Sequence, residues 1–132
     1  MTFLQPFSGP LLSILRIMSG LLVLQHGTTK VLGIPLTKLT GTALTSMGGI
    51  AGVIELICGA LVVIGLFTRP AAFLLSGMTA VAYFLVHHGT GQNFFPILNN
   101  GELAALYCFT FLYIAAAGGG PWSVDRILGG KD

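Results

Sequence analysis

Residues Met47–Phe67 read MGGIAGVIELICGALVVIGLF, an almost unbroken apolar run with one charge, Glu55. A helix needs about 20 mainly apolar residues to cross the hydrocarbon core of a bilayer, and this stretch supplies them. A carboxylate there costs roughly 2.5–3.5 kcal/mol on insertion scales when it sits near the bilayer centre. Glu55 must therefore face protein or water, and it needs a partner. At about 100° per residue, Gly48, Gly52, Glu55 and Gly59 fall on one helix face. The Gly48-x-x-x-Gly52 spacing permits close approach of a second helix, with Glu55 on the packed surface.

Composition places the whole chain in the same solvent. It has 132 residues, 54% of them hydrophobic and only 8% charged, with a mean hydropathy of +0.89. A soluble domain carries about 25% charged residues. The outer surface is therefore predicted to face lipid. A formal charge of +2 with no basic run argues against nucleic acid as a partner. Cys58 and Cys108 stand far apart in apolar runs, and no CxxC occurs, so neither a disulfide framework nor a dithiol site is predicted. The sequence also lacks a flavin, haem or iron–sulfur motif. Met1–Gly9 has no positive segment, and no small-residue cleavage site follows, so the first apolar stretch reads as a retained span.

The expected fold is all-α: a four-transmembrane-helix bundle, one domain over residues 1–132, with spans near 10–30, 47–67, 70–88 and 101–118. Thr68-Arg69-Pro70 separates the second and third spans so tightly that they form an antiparallel hairpin. Gly118-Gly119-Gly120-Pro121 ends the fourth. The longer connections, residues 31–46 and 89–100, share one side of the membrane. Phe94, Phe95, Ile97 and Leu98 in the second either cap the bundle or dip into the lipid interface. Arg69, Arg126 and Lys131 on one side outnumber Lys30 and Lys38 on the other. The positive-inside rule then puts both termini in the cytoplasm.

Depth follows from the 1.5 Å rise per residue. His26, His87 and Glu102 come out about 24–25 Å up their helices, one layer near the outer face. Glu55 and Tyr107 come out at about 17 Å, Tyr83 at about 20 Å and Arg16 at about 9 Å. Ser13, Arg16, Ser19, Gly20, His26, Gly27 and Lys30 share one face of span one, while Gln25 points away. Ser76, Ala80, Tyr83 and His87 form one stripe on span three. Arg16 is the expected partner of Glu55, because a guanidinium engages a carboxylate bidentately. His26, His87, Glu102 and Glu55 are the candidate catalytic groups, and with Arg16, Lys30 and Tyr83 the candidate ligand-binding set. Structural roles compete for each. Glu102 completes a capping box with Asn99, the histidines bond loop backbone, the tyrosines pack, and His88, Phe94 and Trp122 anchor at the interface. No HxxxH or ExxH spacing occurs, so no metal is predicted. Proton handling by His, or a quinone head group or small aromatic ligand held by His, Tyr and Lys against the Phe-rich spans, fits these residue types better.

Several pieces of the sequence, in order, resemble the DoxX family of small bacterial membrane proteins. They are Arg16…Gly20…His26-Gly27-Thr28-Thr29-Lys30, Glu55-Leu56-Ile57-Cys58-Gly59 and Gly65-Leu66-Phe67-Thr68-Arg69-Pro70-Ala71-Ala72. Tyr83…His87, Asn100-Gly101-Glu102 and Pro121-Trp122-Ser123-Val124-Asp125 follow. The resemblance covers nearly the whole chain and implies a four-span inner-membrane protein. It also implies Arg16, His26, Lys30, Glu55, His87 and Glu102 as motif positions. Some relatives are similar to the membrane subunit of a thiosulfate:quinone oxidoreductase, and others are linked to oxidative stress or quinone detoxification. The expected function is thus a quinone-linked redox protein, or the membrane subunit of such a complex, with electrons coming from a partner protein or small reductant. The alternatives are a small-molecule binding or transport module, expected to be a homo-oligomer because one four-helix unit is small for alternating access, and an assembly scaffold.

Overall fold

Short-range signals set the helix boundaries. The computed structural model describes residues 2–88 and 94–129. Helices run over Ser8–Gly27 (α1), Met47–Ile64 (α2), Thr68–Ala82 (α3), Pro96–Asn99 (α4), Glu102–Ala117 (α5) and Val124–Ile127 (α6), with no strand among the described residues. Ser46 caps α2, its Oγ accepting from Gly49 N at 3.1 Å, as expected of a serine just before an apolar run. A 3₁₀ segment, Thr2–Phe7, leads into α1. α1 continues as a π-helical segment over Thr28–Leu32, and α3 does the same over Tyr83–His88.

Three continuous helical stretches, Thr2–Leu32, Met47–Ile64 and Thr68–His88, are long and apolar enough to cross a membrane. α5 is equally apolar but has 16 residues, so it rises only about 24 Å. It occupies the place expected of a fourth span and is shorter than the other three. Part of the expected connection at 89–100 (residues 89–93) and the expected basic residue Lys131 lie outside the described residues.

α1 packs on α2, α3 on α5, and the two pairs join through α2 and α3. Val62, Ala72, Leu75, Phe111 and Ile114 are completely buried between them. Leu11, Ile14, Met18, Phe73 and Phe109 point outward instead. Large apolar groups outside and small residues between helices are the packing expected where lipid, rather than water, surrounds a bundle.

Backbone contact between α1 and α2 is set by glycines. A Cβ on Gly27 would lie 2.4 Å from Leu56 N, one on Gly59 3.0 Å from Leu24 Cα, and one on Gly20 3.0 Å from Val63 N. On Gly52 it would meet Lys30 Cβ at 2.9 Å. The small-residue face expected on α2 is therefore real, but it is centred on Gly52 and Gly59. Gly48 is exposed and lies outside the contact. These contacts fix the antiparallel register: Gly20 faces Val62–Val63, Leu24 faces Gly59, and Gly27 faces Glu55–Leu56.

At the α2–α3 hairpin Gly65 has φ 74° and closes α2 with bonds from its N–H to Leu61 O and Val62 O. A side chain there would strike Ser123, with Cβ–Cβ at 2.6 Å. Positive φ and steric crowding both require glycine. Below, this is the hairpin end; the opposite end, with the two long connections, is the loop end.

Candidate functional site

The partner of Glu55 is Lys30. Lys30 Nζ donates to Glu55 Oε1 at 3.0 Å and Oε2 at 2.8 Å, and the two side chains are only 13% and 9% exposed. Lys30 stays in reach because helical structure continues past Gly27 through the π segment, and Gly52 lets its side chain lie flat on α2. The ionic anchor was expected to be Arg16, and that expectation is corrected. Arg16 lies about 21 Å along the helix from Lys30, level with the end of α2. Counting both helices from a common base misplaced Glu55, because the first turns of α1 run past the end of α2. There Gly9 reaches Pro121, and Gly120 packs on Ser13.

Arg16 is fully buried and spends its donors on carbonyl oxygens. Nη1 donates to Val62 O at 2.5 Å and Val63 O at 2.6 Å, Nε to Gly119 O at 2.8 Å, and Nη2 to Trp122 O at 2.6 Å. Two of these acceptors belong to the last turn of α2, where carbonyls lack helical partners and the dipole is negative. One guanidinium thus closes α2 and ties it to the turn after α5. Arg69 acts likewise on α5, with Nη1 donating to Ala115 O at 3.1 Å and Ala116 O at 2.5 Å.

Asp125 completes the hairpin end. Its Oδ1 accepts from Phe67 N at 2.8 Å and its Oδ2 from Thr68 N at 2.9 Å, while its own N–H donates to Gly65 O at 2.8 Å. A carboxylate at the start of α3 is where the helix dipole favours it. Burial pushes the Asp125 carboxyl up, but the Thr68 and Phe67 bonds and the Arg16 charge outweigh this and hold it below its usual value. Reading spans one at a time missed this cluster. Its signal was present in Pro121-Trp122-Ser123-Val124-Asp125, where a serine cap is followed two residues on by an acid.

The loop end holds two separate polar groupings. In the first, Tyr83 OH donates to Phe94 O, His87 Nδ1 lies 3.0 Å from Asn99 O, and Asn99 Nδ2 lies 3.4 Å from Tyr83 OH. Asn99 Oδ1 accepts from Gly101 N at 2.8 Å. Asn99, nearly inaccessible, joins Tyr83 to the backbone ahead of α5; the sequence reading noticed it only as a possible cap for Glu102. Glu102 is exposed at the start of α5. Gly101 holds the capping position, and no side chain caps α5.

In the second grouping, His26 is half-buried and lines an open cleft of about 450 Å³ with Gln25, Thr29, Pro35, Thr37, Lys38 and Leu39. Thr29 Oγ1 folds the connection over the end of α1 by bonding Pro35 O at 2.6 Å and Thr37 Oγ1 at 2.8 Å. The expected single layer of His26, His87 and Glu102 thus resolves into distinct places. His87 bonds loop backbone, Glu102 is at the surface, and His26 is at the cleft. Among the described residues no three His, Cys, Asp or Glu side chains are grouped to hold a metal ion. Tyr107 packs on Phe111 with ring centroids 5.6 Å apart.

The sequence model of the DoxX family matches residues 11–88, which span α1 to α3 and both π segments. The chain belongs to the DoxX family. An uncharacterised protein of Haemophilus influenzae is 42% identical to it over 129 residues, covering 96% of each chain. A second uncharacterised protein of that organism is 32% identical over 75 residues, or 56% of this chain and 48% of its own length. No solved structure matches. The DoxX stretch contains Arg16, His26, Lys30, Glu55, Tyr83 and His87, whereas Glu102 and Asp125 lie beyond it. Together with its apolar helices, this makes the chain a membrane protein of the DoxX family.

Proposed function

We propose that this DoxX chain is a single-domain, four-span protein of the bacterial inner membrane, with the hairpin end and both termini cytoplasmic. In this reading it holds a quinone-type head group in the loop-end cleft, as the membrane subunit of an oxidoreductase. The carrying observation is His26. Its ring has no hydrogen-bond partner among the described residues, and it lines a cleft with Lys38, Thr37 and Gln25. The cleft volume falls within the roughly 300–1,000 Å³ typical of small-molecule sites. Lys38 Nζ and His26 supply donors for two carbonyl oxygens, while Pro35 and Leu39 supply apolar walls for a ring. Reduction of a quinone takes two electrons and two protons. The electrons come from a partner protein or small reductant, and the His26 imidazole at the cleft is placed to pass protons to the ring.

A photoreactive short-tailed ubiquinone analogue, incubated with the protein in nanodiscs and followed by peptide mapping, tests this. Labelling is expected within residues 25–39 and is lost in His26→Ala without a change in melting temperature, since His26 has no bond to lose among the described residues. Equal labelling of wild type, His26→Ala and Lys38→Ala defeats the proposal.

A second reading is favoured by one specific observation. Both charges buried in the α1–α2 contact are satisfied within the chain, Glu55 by Lys30 and Arg16 by carbonyl oxygens. A scaffold that presents a rigid helix pair to partner proteins needs no more than that. His26→Ala discriminates the readings: a scaffold keeps full partner recovery in that variant, and no quinone analogue binds it or the wild type.

A further inference from the structure

α5 is too short for its place. Its 16 residues rise about 24 Å, some 6 Å short of a hydrocarbon core of roughly 30 Å. Directly before it, at the loop end, lie α4 and four exposed apolar side chains: Phe94 (59%), Phe95 (63%), Ile97 (75%) and Leu98 (57%). Residues 94–101 read FFPILNNG and carry no charge. Exposed irregular backbone is excluded from a hydrocarbon region unless its polar groups are satisfied within the protein.

This segment meets much of that demand, through buried Tyr83 and Asn99, half-buried His87 and its own backbone. Tyr83 OH donates to Phe94 O, and the His87 ring bonds Asn99 O at 3.0 Å. Phe95 O accepts from Leu98 N at 2.9 Å and Asn99 N at 3.2 Å, and Gly101 N donates to Pro96 O and to Asn99 Oδ1. Pro96 has no N–H to satisfy. The rings of Tyr83 and His88 both stand edge-on to Phe94, at 6.4 and 5.5 Å, so the segment is seated against the end of α3. A solvated loop would take these bonds from water.

The geometry points to a lipid-immersed, re-entrant cap. The Phe94–Asn99 segment lies at acyl-chain depth near the headgroups, with Phe95, Ile97 and Leu98 in lipid. It completes the crossing that α5 leaves short, and Tyr83, His87 and Asn99 position it by satisfying its backbone. The occupant of this apolar surface is the bilayer itself, because the shortfall in α5 and the uncharged sequence ask for hydrocarbon rather than another protein. The inference rests on the four-span reading of the bundle and assigns Tyr83 and His87 a positioning role apart from the His26 cleft.

Tryptophan fluorescence in proteoliposomes tests it. Trp122 is the single tryptophan, so Trp122→Phe gives a silent background to which Phe95→Trp, Ile97→Trp or Phe109→Trp is added, all three positions being exposed. Lipids brominated high on the acyl chain are expected to quench the 95 and 97 reporters strongly, with iodide in the buffer leaving them bright. The reporter at 109, midway along α5, is expected to respond to deep bromines. Iodide quenching at 95 and 97 with lipid quenching at 109 overturns the cap and leaves the fourth span standing. Absence of lipid quenching at 109 overturns both. Reporters at 95 and 97 reached by neither quencher place the segment against protein, which also overturns the cap.

Discussion

Lys30 Nζ donates to both carboxylate oxygens of Glu55, at 3.0 and 2.8 Å, across a contact where Gly27 leaves no room for a side chain. The ion pair and the glycine contact depend on one another. The pair forms only at this helix separation, and the separation is tolerable only if the two buried charges neutralise each other.

Removing one member should therefore hurt more than removing both. Breaking a buried pair from one side costs about 3–5 kcal/mol because it strands a charge. Glu55→Gln and Lys30→Gln are each expected to lower the thermal midpoint in detergent, with the double variant recovering part of the loss. Additive losses in that double-mutant cycle would show that the pair contributes no coupling.

Gly27→Ala and Gly77→Ala should behave in opposite ways. At Gly27 the new Cβ meets Leu56 N at 2.4 Å, whereas at Gly77 it meets nothing within 4 Å. Overpacking of backbone against backbone is expected to cost about 3 kcal/mol. Alanine at an open helical site is expected to gain roughly 0.5–1 kcal/mol from reduced chain entropy. Unfolding both variants in one detergent decides it, and similar midpoints would contradict the α1–α2 register.

Arg16→Lys is predicted to be a severe change despite its preserved charge. A single ammonium cannot reach carbonyls of Val62, Val63, Gly119 and Trp122 together. Hydrogen bonds to charged groups contribute about 1.5–3 kcal/mol each, so the loss of two is expected to cost several kcal/mol. Proteolysis at the turn after α5 should accelerate, and an unchanged cleavage rate would refute the role given to Arg16.

Asp125 gives a pH dependence of known sign. Its carboxyl is held below the ordinary aspartate value by the Thr68 and Phe67 bonds and by Arg16, in spite of burial. A group whose pKa falls on folding adds stability above the unfolded value, near about 3.9, and loses it as pH drops through the folded value. Wild type should lose more stability than Asp125→Asn as pH falls below about 4, with a difference of about 1 kcal/mol at pH 7. Parallel stability curves across that range would remove the carboxylate from the fold of the hairpin end.

How far the sequence reached can be judged residue by residue. The Met47–Phe67 run placed α2 to within three residues of its observed end at Ile64. Thr68-Arg69-Pro70 marked the hairpin, and helical periodicity put Ser13, Arg16, Ser19, Gly20 and Gly27 on one face, all of them buried. The same face contained Lys30, yet periodicity gave no reason to prefer it over Arg16 as the partner of Glu55. His87 and Glu102 shared a computed depth, but their separation rests on the azimuth of α5 and on a loop whose bonds are tertiary.

Sequence alone determined the long helical segments and which of their faces are polar, and pointed to lipid as the surrounding solvent, because hydropathy and periodicity are local properties of the chain. The short helices at Thr2–Phe7, Pro96–Asn99 and Val124–Ile127 were not read from it. Which charge meets which was decided only in three dimensions. Sliding α1 along α2 by a few residues keeps every apolar face covered, but it changes the partner of Glu55. That register is set by where Gly20, Gly27, Gly52 and Gly59 allow backbones to touch.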